Sequence, residues 1–127
     1  MDEDDIPYVS RLTDWHLMDN TSLTALAREH LERARSVSSG RSAKTVYGGQ
    51  EHTLRQTLIA LAAGQRLDEH ENPGEATVHV LQGRVRLVAG DLVRKGAVGH
   101  LMAVPDSRHT LEAEEDSVVL LTTALHR

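Results

Sequence analysis

The chain has 127 residues, enough for one domain around one hydrophobic core. Apolar residues make up 39% of it and charged residues 26%, which is typical of a globular domain and too apolar for a disordered chain. The net charge of −5 argues against nucleic acid or an anionic membrane as a partner, the 2% aromatic content excludes a platform of stacked aromatic rings, and the lack of cysteine excludes disulfides and thiolate zinc sites.

The first 20 residues show no hydrophobic periodicity and carry four consecutive acidic side chains at positions 2–5. Because these carboxylates repel one another, we expect segment 1–20 to be solvated and partly disordered. The acidic start does not resemble a signal peptide, and the longest apolar run, Leu58–Ala63, is too short to cross a bilayer. The sequence therefore predicts a cytoplasmic protein without a membrane partner.

One amphipathic helix is predicted over residues 21–39. Between Leu23 and Ala34 the apolar positions recur at helical spacing and form a single stripe, which includes His30. Small polar residues and Gly40 follow the stripe, and they favour the end of a helix at this point.

After the helix the pattern changes to short apolar runs separated by glycines, which predicts an all-β domain over residues 40–127. The second and the eighth run are nearly continuous, which indicates strands covered on both faces, although the length of the second run also suits a buried helix. Gly90 and Asp91 lie between the fourth and fifth runs and fit a two-residue hairpin turn. The eight predicted strands are Ala43–Tyr47, Leu54–Ala62, Ala76–Leu81, Val85–Ala89, Leu92–Arg94, Leu101–Val104, Ser107–Ala113 and Val118–Leu125.

The densest run of polar and glycine residues spans positions 64–83. Gly64 and His70 are separated by five residues, and Gly83 follows the next apolar run. This spacing resembles the first motif of the cupin superfamily, G-x5-H-x-H-x3,4-E-x6-G. The resemblance lies in the opening glycine, the first histidine and the closing glycine.

A second polar stretch, residues 99–113, resembles the second cupin motif. Pro105 ends one apolar run and His109 comes early in the next, one residue closer than is usual in the family. The resemblance covers residues 54–125, and from Ser22 onward the chain is similar to small actinobacterial cupins. It implies an all-β cupin barrel, a double-stranded β-helix or jelly roll, with one N-terminal α-helix packed outside.

Metal-binding cupins hold Fe, Mn, Ni, Zn or Cu with three histidines and one glutamate. The resemblance places His70 at the first histidine position and His109 at the third, whereas Asn72 stands at the second and an alanine at the glutamate position. A divalent ion of the non-haem type needs only two imidazoles and one carboxylate. The metal hypothesis therefore rests on His70 and His109, with Glu75 or Asp68 as the carboxylate.

Several further side chains are predicted around this site. Asn72, Gln56 and His52 are expected to line the pocket. Arg55 is either a salt-bridge partner on the outer face or a clamp for an anion. By strand alternation, His79 is expected to point away from the pocket.

The resemblance implies a small-molecule-binding protein with its pocket inside the barrel. In one version it is a metal-dependent enzyme of the oxygenase or isomerase type, and one divalent transition metal is its cofactor. In the other it is a ligand sensor or a structural dimer without a metal, and His70 and His109 are free imidazoles able to act as acid or base. Cupins commonly pair through sheet faces, so we also expect a homodimer.

Overall fold

The computed structural model describes residues 20–49, 51–69 and 74–125, and the predicted acidic segment therefore lies almost wholly outside it. The described residues form one helix, α1 (Leu23–Ser36), and nine strands in two antiparallel sheets. The strands are β1 (Arg41–Tyr47), β2 (Leu54–Leu61), β3 (Arg66–Glu69), β4 (Gly74–Gln82), β5 (Arg84–Ala89), β6 (Leu92–Ala97), β7 (Leu101–Ala103), β8 (His109–Ala113) and β9 (Ser117–Leu125).

Helix α1 begins where the side-chain oxygen of Ser22 accepts a hydrogen bond from the backbone N–H of Ala25 at 3.1 Å. Its predicted apolar stripe is buried and packs on β1 and β2. His30 belongs to this stripe and is 3% exposed, and its Nδ1 lies 2.6 Å from the hydroxyl of Ser42. This histidine is thus a hydrogen-bonded core residue beneath the helix.

The two sheets pack face to face, in the strand orders β1-β2-β9-β4-β7 and β3-β8-β5-β6. In β2, Ile59 and Leu61 point between the sheets, whereas Leu58 and Ala60 pack against α1. Strand β9 divides its buried side chains in the same way. The prediction that these two runs are covered on both faces is confirmed, and so is the all-β barrel with one external helix.

Three differences from the predicted strands are found, and the first two have clear physical reasons. Strand β3 was not predicted, because four residues with a single apolar side chain, Leu67, carry no recognisable pattern. Strand β6 continues past Arg94 to Ala97, because its pairing with β5 is maintained as far as Arg84 opposite Ala97. The strand predicted from Ser107 begins only at His109.

Two connections and two strand ends lie together at one end of the sandwich. The β5–β6 hairpin turns there at Gly90, which has a positive φ of 60°, and the β7–β8 connection, residues 104–108, crosses nearby. Strand β3 ends and strand β8 begins at the same place, where Glu69 pairs with His109. We call this the open end of the barrel. The one described helix, α1, is not long and apolar enough to span a membrane.

Candidate functional site

His109 is the first residue of β8 and is only 5% exposed. Alternation along the strand directs His109, Leu111 and Ala113 between the two sheets. The interior at this position is otherwise apolar, so a polar ring here needs a specific explanation.

The orientation of the His109 ring is set by one hydrogen bond. Its Nδ1 lies 2.9 Å from the backbone carbonyl oxygen of Ser107. Because a carbonyl oxygen only accepts, Nδ1 carries a proton and donates it, and in the neutral ring the lone pair is on Nε2. No residue in the described ranges hydrogen-bonds Nε2, which leaves this nitrogen available to a proton, a ligand or a metal ion.

The cavity beside His109 is small. Its volume is about 20 Å³, room for about one water molecule. Apart from the imidazole its lining is aliphatic, and it consists of Ile59, Leu67, Val78, Leu87, Val104, Leu111, Val119 and Leu121. This cavity is too small for anything larger than water, and among the described residues the room for a larger molecule lies nearer the open end.

A cleft of about 330 Å³ lies at that open end, within the usual size of small-molecule sites, about 300–1,000 Å³. It shares Leu87 and Val104 with the cavity beside His109, and it also reaches Ser107, whose carbonyl orients the imidazole. The remaining lining residues are Ala89, Leu92, Arg94, Ala103 and Pro105. The cleft therefore borders the cavity that holds the imidazole; we call the cleft itself, lined by these eight residues, the open-end cleft.

Arg94 is the one charged side chain among the described residues that line the open-end cleft. It lies on β6 opposite Leu87 of β5, on the strand face that looks between the sheets. The neighbouring cations lie on the outer face, where Lys95 pairs with Glu114 at 3.8 Å and Arg86 with Glu112 at 3.7 Å. Arg94 itself forms no ion pair within the described ranges.

The two predicted carboxylates do not lie beside His109. In β4, Ala76 and Val78 point inward, so Glu75 between them is exposed on the other face. Asp68 faces outward from β3, where it accepts a hydrogen bond from the hydroxyl of Thr110 at 3.2 Å. Strand alternation accounts for both placements. No cluster of three metal-binding side chains is found in the described part of the chain.

The predicted pocket residues are also distributed differently. Gln56 lies on the outer face of the first sheet, where it donates a hydrogen bond to Thr122 at 3.2 Å. His52 lies in the β1–β2 loop against the Tyr47 ring, with the ring centroids 5.5 Å apart. Neither is part of the open-end cleft or the cavity lining.

Four more residues singled out from the sequence lie outside the described ranges or away from the open-end cleft. His70 and Asn72 lie outside the described residues. Arg55 is exposed and has no ion pair with any described residue. His79 points away from the interior, as the alternation of β4 predicted.

The sequence interpretation missed Arg94, although a signal for it was present. A two-residue turn at Gly90-Asp91 fixes the register of the hairpin, so that Ala89 pairs with Leu92 and Leu87 with Arg94. Since Leu87 is an interior position, the register alone places Arg94 on the interior face.

Comparisons with known proteins bear on the fold. No protein-family model matches the sequence, and no curated protein matches it. A conserved protein of unknown function from Streptococcus pyogenes superposes with a TM-score of 0.64 and 25% identity, over 72% of this chain and 79% of that chain.

Two structures with named folds are similar as well. An RmlC-like cupin from Desulfovibrio desulfuricans superposes with a TM-score of 0.58 and 27% identity, over 66% of this chain and 81% of that chain. A cupin superfamily protein from Desulfitobacterium hafniense DCB-2 gives 0.62 and 17% identity, over 68% of this chain and 78% of that chain.

Proposed function

Since this chain belongs to the cupin superfamily by its fold, we propose that it binds a small molecule in the open-end cleft, with His109 as the buried polar group beneath. The observation that carries the proposal is the position of a buried imidazole next to a cleft of about 330 Å³. Pockets for small molecules are typically apolar, with a few well-placed polar groups, and the cleft has this composition.

The state of the His109 ring supports a functional role. Burying a polar ring among aliphatic side chains costs free energy, and the hydrogen bond to Ser107 satisfies only one of the two nitrogens. A leucine would fill this volume without that cost. Nε2 is therefore the atom that we assign to ligand binding or proton transfer.

A metal-dependent enzyme of the oxygenase or isomerase type is the second candidate. It is favoured by one detail, because histidines that bind metals usually donate the other ring N–H to a carbonyl, as His109 does to Ser107. The described residues supply only this one donor, since Glu75 and Asp68 face outward. They do not fit a metal by themselves, so a metal site would depend on His70 and at least one further donor.

A ligand screen followed by thermal unfolding tests the binding proposal. A ligand of the cleft raises the melting temperature of the wild-type protein. His109→Ala is expected to abolish this rise, whereas His79→Ala on the outer face of β4 keeps it and serves as the matched control. A rise that persists unchanged in His109→Ala would contradict the assignment of this site.

Elemental analysis separates the two candidates. The metal-dependent version predicts close to one Fe, Mn, Ni, Zn or Cu per chain after reconstitution, lost in His109→Ala. A content below about 0.1 metal per chain in the wild type contradicts that version, because a functional site must be mostly filled. Ligand binding that is insensitive to chelators favours the metal-free version.

We also propose that the protein is a cytoplasmic homodimer. Helix α1 packs on β1, β2 and a small part of β9, and leaves the rest of that sheet face open. Leu54 of β2 and Leu101 of β7 lie there with 42% and 68% of their surface exposed. Burying such side chains against a second copy stabilises a dimer.

A further inference from the structure

Arg94 is placed to bind an anion inside the open-end cleft. Its neighbours Lys95 and Arg86 are neutralised by Glu114 and Glu112 on the outer face, whereas Arg94 has no ion pair within the described ranges. Its guanidinium carries a permanent positive charge, and its planar fork of N–H donors matches a carboxylate. The described lining of the cleft thus has one positive charge and no negative one.

The rest of the lining is suited to a carbon chain. The side chains of Leu87, Ala89, Ala103 and Val104 form the walls. Leu92 stands at the cleft with 73% of its surface exposed, although it occupies the interior face of β6. The exposed aliphatic side chain of Leu92 lies beside the cation of Arg94, which has no ion pair within the described ranges. Together they match a molecule that has an apolar chain and an anionic end.

We propose that the ligand of the open-end cleft is a short aliphatic carboxylate, with its carboxylate paired to Arg94 and its chain packed on Leu87, Leu92 and Val104. This inference deepens the proposed function and rests on it. A carboxylate is favoured over a phosphate ester, because a single guanidinium balances one negative charge, whereas a phosphate ester carries about 1.5–2. The small aromatic content of the chain leaves an aliphatic ligand as the natural match.

Isothermal titration with a matched set of ligands tests the inference. Hexanoate, hexanamide and hexan-1-ol share the same chain and differ in the charge of the end group, and acetate keeps the charge without the chain. Hexanoate is expected to bind the wild type about two- to fivefold more tightly than hexanamide, because an ion pair to the exposed guanidinium of Arg94 is partly screened by solvent. Acetate is expected to bind at least about tenfold more weakly than hexanoate, because it covers no aliphatic wall.

Two variants assign the charge preference to Arg94. Arg94→Gln is expected to bind hexanoate and hexanamide equally, since it keeps the length of the side chain and removes its charge. Lys95→Gln changes the adjacent cation on the opposite face of β6, so the preference for hexanoate is expected to remain. Both residues are exposed, so neither substitution disturbs the core.

The outcomes separate this inference from the proposal beneath it. If hexanoate and hexanamide bind the wild type equally, or if Arg94→Gln keeps the preference, the inference is overturned while the cleft remains a ligand site. If hexanoate does not bind at all, the inference is likewise overturned. The proposed function itself fails only when no ligand of the broader screen depends on His109.

Discussion

Replacing His109 with leucine tests whether the imidazole is retained for function or for stability. The substitution removes a ring that is 5% exposed and whose Nε2 has no described partner. Leucine gains about 1.5–3 kcal/mol from burial among these aliphatic side chains, and losing the hydrogen bond to Ser107 costs about 1 kcal/mol. Ser107 is exposed, so water satisfies its carbonyl afterwards. We therefore expect His109→Leu to be more stable than the wild type by about 1 kcal/mol.

Urea unfolding followed by circular dichroism measures this difference. The midpoint is expected to rise at an unchanged m value, because the exposed surface on unfolding hardly changes. Leu111→Ala, two positions along the same strand and pointing into the same interior, is the control and is expected to lose about 2–5 kcal/mol. If His109→Leu instead loses 1 kcal/mol or more, the imidazole is a structural residue and the reasoning is refuted.

Three further predictions concern other parts of the molecule. Hydrogen bonds from the backbone N–H of Ala63 (2.8 Å) and the guanidinium of Arg35 (2.6 Å) hold the pKa of Asp116 below its usual value. The ionised carboxylate therefore stabilises the fold at neutral pH. This contribution is lost as the pH falls through the lowered pKa. Asp116→Asn is therefore expected to cost about 1 kcal/mol at pH 7 in urea unfolding and progressively less below about pH 4; a difference that grows at low pH would contradict this. Gly83→Ala is expected to lose more stability than Gly90→Ala. Both glycines have positive φ, but only at Gly83 would the added methyl group clash with the carbonyl oxygen of Asp116 and the hydroxyl of Ser117. Equal losses in the two variants would show that this clash has no effect on stability. Leu101→Asp is expected to convert the proposed dimer to a monomer, as measured by light scattering. Leu92→Asp, at the open-end cleft, is the matched control and is expected to remain dimeric. A dimeric mass for Leu101→Asp would exclude the sheet face of Leu101 as the interface.

The sequence predicted the fold well wherever the pattern depends on neighbouring residues. The Gly90-Asp91 turn set the register of the hairpin, and strand alternation correctly predicted that His79 points away from the interior. The prediction was weaker where apolar and polar residues do not alternate. The apolar run that contains Gln56 is nearly continuous, so its residues do not reveal which face is the interior, and only the pairing with β9 decides it.

The candidate site was less predictable for a different reason. The open-end cleft combines β5, β6 and the β7–β8 connection, and sequence spacing does not give the distance between them. His109 was identified through a family resemblance, whereas Arg94 belongs to no motif. The size of the cavity was also beyond sequence reasoning, because it depends on how the aliphatic side chains of both sheets pack together.

Methyl NMR spectroscopy of the leucine and valine side chains, recorded with and without a ligand found in the screen, locates the binding site. The largest shift changes are expected at Leu87, Leu92 and Val104, around the cleft, and no change is expected at Leu58 and Val118, beneath α1. If a bound ligand shifts the methyl groups beneath the helix and leaves those of the cleft unchanged, the binding site lies elsewhere and the account is wrong.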